Sequence, residues 1–130
     1  LDLNVDWTSP VGLADIFDGP STDIDTFYTS NEITANWNAA TDVNSDISHY
    51  EMSVGTSPGD IDAVGWTNVG NVTNHTLTGL SLNGGMMYYV NIRAVNNATL
   101  SSTLISSDGQ YLDSDASLDE NNILPLKIFL

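Results

Sequence analysis

Hydrophobic and polar residues alternate in several short stretches of the chain, and no stretch keeps the helical period of about 3.6 residues. Because successive side chains of a strand point to opposite faces, each alternating stretch predicts a half-buried strand. Turn residues separate the stretches about every 8–12 residues, which is typical of a β-sandwich. We predict strands at residues 11–17, 32–37, 50–54, 65–69, 75–80 and 87–96, with a further sheet region at 101–112.

The inward faces of these strands define one hydrophobic core. The longest stretch, 87–96, places Tyr88, Val90, Ile92 and Ala94 on one face. The pattern as a whole predicts an all-β fold, an antiparallel β-sandwich of about seven strands. The predicted core consists of Ile33, Ala35, Trp37, Tyr50, Met52, Val54, Leu77, Leu80, Leu82, Tyr88, Val90, Ile92 and Ala94.

Composition limits the classes of partner. The chain has 130 residues, of which 41% are hydrophobic, enough for the core of one domain. It carries 17 acidic residues against 2 basic ones, a net charge of −15, which excludes general affinity for nucleic acid or anionic lipid. No apolar run approaches the roughly 20 residues that span a bilayer, so we expect no membrane insertion. The absence of cysteine excludes disulfides and thiolate metal sites.

Three segments differ in composition. Residues 11–113 form the predicted domain, and residues 1–10 are an N-terminal extension or the end of a preceding domain. Residues 114–130 begin as a polar linker and end in the apolar segment 123–130. The chain starts at Leu1 without a signal-peptide pattern, so we expect a fragment or mature piece of a longer protein.

The aromatic positions resemble those of the fibronectin type III domain. The resemblance is carried by Trp37, Tyr50, Leu82 six residues before Tyr88, and the run Tyr88-x-x-x-Ile92-x-Ala94-x-Asn96. It implies an immunoglobulin-like β-sandwich in which Trp37 fills the centre of the core. It also implies that the Tyr88 hydroxyl makes a hydrogen bond to the backbone near Leu82. The proline usual between that leucine and tyrosine is absent, and Asn83-Gly84-Gly85 stands there.

The match is closer to an extracellular bacterial subgroup of this family, and it covers about residues 11–113. The matching segments are Asp18-Gly19, Asp23-Ile24-Asp25, Ala35-Asn36-Trp37, Tyr50-Glu51, Gly55-Thr56-Ser57-Pro58-Gly59, Trp66-Thr67-Asn68-Val69-Gly70 and Arg93-Ala94-Val95-Asn96. Glu120-Asn121-Asn122-Ile123 to Lys127-Ile128-Phe129 resembles the opening of the C-terminal sorting domain of the type IX secretion pathway. Together these likenesses imply a secreted or cell-surface location.

Calcium is the one candidate cofactor, because oxygen-only ligands suit a hard cation. Asp42, Asn44 and Asp46 place three oxygen-bearing side chains at alternate positions of one loop. The EF-hand template does not fit, since it requires Gly and Glu where Ile47 and Ser53 stand. We therefore expect an irregular site in which that loop meets acids near the first strand. The alternative is that all of them are solvated loop residues in Asx turns. The candidate ligands are Asp18, Asp23, Asp25, Asp42, Asn44 and Asp46.

Carbohydrate binding would require exposed aromatic faces. Trp66, Tyr28 and Tyr89 lie outside the predicted core face and are the candidate residues. Rings in one plane would support a sugar platform. The alternative is that they pack on the sheet edge or contact a neighbouring domain.

No pattern predicts catalysis. His49 and His75 flank different strands, no metal-binding or nucleophile motif contains them, and we expect them at the surface or a strand edge. We expect a non-catalytic spacer or adhesion-type module of a larger secreted or cell-surface protein, with calcium as a stabiliser. Its partners would be neighbouring domains of the same polypeptide or a cell-surface protein. The alternative is a carbohydrate-binding accessory module of a secreted polysaccharide-degrading enzyme.

Overall fold

The computed structural model describes residues 6–113, and every regular element in that range is a strand. The all-β expectation is therefore confirmed. The strands are β1 (Ile16–Asp18), β2 (Thr26–Phe27), β3 (Ile33–Trp37), β4 (Ile47–Gly55), β5 (Val64–Gly70), β6 (Asn74–Leu77), β7 (Met87–Asn96), β8 (Ile105–Ser106) and β9 (Gln110–Leu112).

Two sheets pack face to face. The smaller sheet has the order β1-β3-β6, and the larger has the order β2-β9-β7-β4-β5 with β8 paired to β7. All pairings are antiparallel except that of β2 with β9, which is parallel. The structure thus confirms the predicted sandwich, with one parallel pair that the alternation of residues did not predict.

Strand β7 runs through the middle of the larger sheet and has the bounds that the sequence predicted. Its Tyr88, Val90, Ile92 and Ala94 side chains are buried and face the smaller sheet. They pack with Trp37, whose ring centroid lies 5.8 Å from that of Tyr50. The strand pattern places these residues on one face, and burial of that face removes it from water.

The first strand is shorter and later than predicted. Residues 11–17 do not form one strand; Val11 makes an isolated bridge to Thr41, and β1 covers Ile16–Asp18. Asn38 accounts for part of this difference, because its side chain accepts hydrogen bonds from the backbone of Ala14 and Asp15. These two N–H groups therefore have hydrogen-bond partners without pairing to a neighbouring strand.

The predicted 75–80 strand ends at Leu77, and Leu80 and Leu82 are half-buried rather than fully buried. Gly79 turns the chain with φ of +71°, and Leu80 then donates its backbone N–H to Asn31. This segment crosses between the two sheets, so its leucines cover the core at its margin. The other predicted core residues are buried.

Three apolar residues that were not predicted complete the core. Phe27 contacts Tyr88 edge to face, with ring centroids 6.4 Å apart, and Leu112 is fully buried beside them. Ala40 belongs to the same buried cluster and donates its backbone N–H to the Tyr50 hydroxyl at 2.8 Å. Each lies in a short strand or loop, where alternation is too brief to be informative.

Two sequence features lie outside the described residues. These are the apolar segment 123–130 and the likeness of residues 120–129 to a sorting domain. Within residues 6–113, no helix is long and apolar enough to cross a membrane.

Candidate functional site

One end of the sandwich, here called the entry end, is built around the side chain of Asn96. Its Nδ2 donates to the carboxylates of Asp6 and Asp42 at 2.9 and 3.0 Å and to the carbonyl of Thr8 at 2.9 Å. Its Oδ1 accepts the backbone N–H of Leu100. Asn96 therefore ties the N-terminal segment to the end of β7.

The loop at Asp42–Asp46 belongs to this entry end. Asp42 accepts backbone N–H groups of Asn44 and Ser45, which makes it an Asx turn. The Ser45 hydroxyl and the Thr8 backbone N–H and hydroxyl donate to Asp6 and hold the pKa of Asp6 far below its usual range. Asn44 directs its amide nitrogen toward Asp6. The loop thus closes the sandwich with hydrogen bonds.

The opposite end, here called the exit end, holds the last described residues. Leu112 exchanges backbone hydrogen bonds with Gly85 and Met86, just before β7 begins. The Tyr88 hydroxyl accepts the Asn83 backbone N–H at 2.7 Å, one residue after Leu82. The corner hydrogen bond that the resemblance implied is formed, although the family's usual proline is missing.

The six candidate calcium ligands fall into two separate groups. Asp42 bonds Asn96 at one end of β7, whereas Asp18 bonds Gln110, which pairs with Tyr88 at the other end. Eight strand positions separate those points, a distance of about 25 Å. The structure therefore does not bring the loop of Asp42, Asn44 and Asp46 to Asp18, Asp23 and Asp25.

Asp18 and Asp23 form part of an acidic cluster, defined here as Asp18, Asp23 and Asp108. Each offers one carboxylate oxygen, and these three atoms lie within 4.8 Å of one another. Asp18 is fully buried, and Asp23 and Asp108 are exposed. Asp25 is exposed and is not a member of the cluster; its backbone carbonyl accepts the N–H of Tyr111.

Asp18 lies in an unfavourable environment for a carboxylate. Its Oδ1 accepts a hydrogen bond from Gln110 Nε2 at 2.9 Å, but its Oδ2 is buried without a hydrogen-bond partner. Burial raises the pKa of Asp18 to about 7; the nearby carboxyl groups of Asp108 and Asp23 act in the same direction, and hydrogen bonds from the Ser107 and Gln110 side chains oppose it. A buried carboxylate in this setting requires a proton or a cation.

The sequence did not predict the participation of Asp108 or Gln110. Asp108 is about ninety residues from Asp18 in the chain, and only the packing of the two sheets brings them together. The one available signal was the Asp108-Gly109 turn, which predicts a bend and gives no information about its neighbours.

The candidate carbohydrate residue Trp66 has one ring face covered. The guanidinium carbon of Arg93 lies 4.1 Å from the centroid of the Trp66 ring, a cation–π arrangement. Arg93 Nε also donates to Glu51 at 2.7 Å. Burial tends to raise the pKa of Glu51, and the hydrogen bonds from Arg93 and His49 outweigh it and lower that pKa.

The other two candidate rings lie elsewhere on the larger sheet. Tyr28 follows the edge strand β2 and is 61% exposed, whereas Trp66 is on β5 at the opposite edge. Four strand spacings separate those edges, or about 19 Å. Tyr89 is half-buried on the central strand, beside the turn at Gly109. Tyr28 and Trp66 therefore do not belong to one platform.

His49 is half-buried on β4, between Ser48 and Glu51, and His75 is half-buried on β6 at an edge of the smaller sheet. One groove of the described part of the chain has a volume of about 530 Å³ and is lined by neither histidine. It runs between the β5 edge and the crossing segment at Leu80 and Leu82.

Comparisons with known proteins agree with this architecture. Residues 20–107 match the family model of the Fibronectin type III domain. The fold is similar to the Twitchin kinase region from C. elegans, with a TM-score of 0.57 and 15% sequence identity. The match covers 83% of this chain and 17% of that one, and at this identity it shows the fold alone. No curated protein matches the sequence.

Domains of this type are generally non-catalytic accessory modules of larger proteins. The family match, the two-sheet topology and the tyrosine corner together show that the chain belongs to the fibronectin type III family.

Proposed function

We propose that this domain is a non-catalytic spacer in a larger secreted or cell-surface protein. The observation that carries the proposal is the placement of the two ends of the described chain. Asp6 and Thr8 are bound to Asn96 at one end of β7, and Leu112 is bound to Met86 at the other end. The ten residues of β7 span about 30 Å. A neighbour before the domain and a neighbour after it would be separated by that length.

Both attachments are fixed by buried or backbone groups, as a spacer requires. At the entry end, Asn96 is 1% exposed and bridges Asp6 and Asp42. At the exit end, Leu112 is fully buried and anchored by backbone hydrogen bonds. A domain whose two ends are both held in place fixes the distance between its neighbours. If either end were loose, it would act as a flexible linker and the distance would vary.

The net charge and the sequence resemblance support the spacer proposal. A net charge of −15 favours solubility and opposes self-association. The likeness to extracellular members of the family supports a secreted or cell-surface parent protein. The separation of Tyr28 from Trp66, and the Arg93 guanidinium over the Trp66 ring, argue against the carbohydrate-binding alternative.

The spacer proposal predicts a long, narrowly distributed distance between the two ends. The chain contains no cysteine, so a variant with Ser9→Cys and Ser81→Cys carries thiol spin labels at these two positions and at no others. Both serines are exposed; Ser9 follows Thr8 at the entry end, and Ser81 precedes the tyrosine corner at the exit end. Double electron–electron resonance should give one narrow peak at about 30–40 Å, set by the length of β7.

A same-end pair supplies the control for this distance. Ser9→Cys with Val43→Cys places both labels at the entry end, where Val43 is 93% exposed. This pair should give a clearly shorter distance. A broad distribution for the end-to-end pair, or a distance no longer than that of the control, would contradict the proposal.

A further inference from the structure

The acidic cluster lies where the two sheets meet along one side of the sandwich. Asp18 ends β1 of the smaller sheet, and Asp108 is in the turn between β8 and β9 of the larger sheet. Gln110, on β9, reaches across and donates to Asp18 Oδ1 at 2.9 Å and to the carbonyl of Thr34 at 3.3 Å. The cluster therefore joins carboxylates from both layers.

The loop that carries Asp23 is fixed relative to Asp18. The backbone N–H of Asp18 donates to Asp23 Oδ1 at 2.8 Å, and the N–H of Ile24 donates to the Asp18 carbonyl at 3.0 Å. Asn36 holds the intervening segment, because its Nδ2 donates to the carbonyls of Gly19 and Ser21. The local fold thus brings Asp23 to the buried carboxylate and keeps it there.

The turn that carries Asp108 is equally constrained. Gly109 has φ of +102°, and a Cβ at this position would lie 2.8 Å from the Tyr89 ring. Only glycine fits this close, left-handed turn. Ser107, the residue before Asp108, exchanges hydrogen bonds with the backbone of Val90. The position of Asp108 therefore follows from packing against β7.

The buried oxygen of Asp18 is the observation that points to a ligand. Asp18 has no exposed surface, and its Oδ2 has no hydrogen-bond partner in the protein. Buried polar atoms are nearly always paired, and an unpaired buried carboxylate oxygen is costly. This atom belongs to the carboxylate that approaches Asp23 and Asp108 within 4.8 Å.

No lysine or arginine among the described residues is available to neutralise the cluster. Arg93 is the one Lys or Arg among residues 6–113, and it is bound to Glu51 and Trp66. Two of the three carboxylates are exposed and reachable from solvent, while the third is buried. A small cation from solution fits this arrangement.

We propose that Asp18, Asp23 and Asp108 bind one calcium ion that joins the two sheets. Calcium binds oxygen at 2.3–2.6 Å, so two of its ligands lie up to about 5 Å apart, which matches the observed span. Asp18 and Asp23 supply ligands from the smaller sheet and its loop, and Asp108 supplies one from the larger sheet; water completes the coordination. This inference is independent of the spacer proposal, since a spacer without calcium would keep the same separation of its ends.

Calcium titration of the whole chain tests the proposal. After EDTA treatment, the thermal midpoint is measured in calcium and in magnesium at equal ionic strength. For a dissociation constant of about 0.1 mM, typical of extracellular sites, about 10 mM calcium raises the folding equilibrium constant roughly 100-fold. The midpoint should then rise by about 10 °C. Magnesium should give little rise, because it demands ligands at shorter distances.

Matched Asp→Asn variants locate the site. Asp108→Asn removes an exposed ligand and should abolish most of the calcium response. Asp25→Asn removes an equally exposed carboxylate two residues from Asp23, outside the cluster, and should keep it. Asp18→Asn should abolish the response while raising the midpoint in EDTA, because its new amide can donate to the neighbouring carboxylates.

Isothermal titration calorimetry on the same proteins gives a second readout that does not depend on unfolding. The unmodified chain and Asp25→Asn should bind one calcium ion, and Asp108→Asn at least tenfold more weakly. The proposal is overturned if calcium and magnesium raise the midpoint equally. It is also overturned if Asp108→Asn binds as tightly as Asp25→Asn, or if the unmodified chain releases no binding heat and shows no shift.

Discussion

Replacing Asn96 with Asp is expected to lower the free energy of unfolding by about 4 kcal/mol at neutral pH. Asn96 is 1% exposed, and its Nδ2 donates to Asp6, to Asp42 and to the Thr8 carbonyl. Aspartate keeps the Oδ1 acceptor but places a third carboxylate against two others. The substitution therefore removes both N–H groups that these three acceptors share, and adds repulsion between like charges in a buried setting.

Urea unfolding measures this change, and the neighbouring residue supplies the control. Asn97 is exposed, and its Nδ2 makes one hydrogen bond, to the carbonyl of Ser45. Asn97→Asp adds the same charge and should cost no more than about 1 kcal/mol. Equal losses for the two variants would show that net charge, rather than the bridge made by Asn96, accounts for the effect.

Gly55→Ala is expected to destabilise the domain by about 3 kcal/mol or more. A Cβ on Gly55 would lie 2.1 Å from the carbonyl oxygen of Asp60 and 2.4 Å from its carbonyl carbon. The obstacle is backbone, so no side-chain rotation relieves it. That same carbonyl accepts a hydrogen bond at 2.8 Å from Asn91, which is fully buried. Displacing it would leave the Asn91 amide short of one acceptor.

Gly65→Ala is the matched substitution for this prediction. Gly65 lies on β5, it is exposed, and a Cβ there would meet nothing within 4 Å. The free energy of unfolding of Gly65→Ala should stay within about 0.5 kcal/mol of that of the unmodified chain, because a strand accepts alanine where nothing contacts the added Cβ. Chemical denaturation of both variants, compared at equal m-values, separates the two outcomes. A loss below about 1 kcal/mol for Gly55→Ala would contradict the packing described here.

The sandwich was predictable because its long strands alternate cleanly. The structure reproduces the predicted strand at 87–96 residue for residue, and the buried face of β3 contains Ile33, Ala35 and Trp37 as the alternation indicated. A period of two needs several residues before it can be read. The two-residue strands β2 and β8 fall below that length, so their positions depend on the neighbours they pair with.

The candidate cation site was only half predictable. Asp18 and Asp23 stood out as closely spaced acids, but Asp108 joins them through contacts between sheets. The regular spacing of Asp42, Asn44 and Asp46 also indicated ligands, but their loop lies at the entry end, where Asp42 makes an Asx turn and Asn44 donates to Thr8. The sequence identifies side chains that are able to bind a cation, but the packing of the two sheets decides which of them lie close together.

Pulling the domain from its two ends tests the central claim, that it holds its neighbours at a fixed separation. With handles attached through Ser9→Cys and Asp113→Cys, we expect the ends to stay about 30 Å apart as force rises, up to one cooperative unfolding event. That event should release about 350 Å of chain, the extended length of these residues less the folded span. Gradual lengthening at low force, without a distinct unfolding step, would contradict a spacer role.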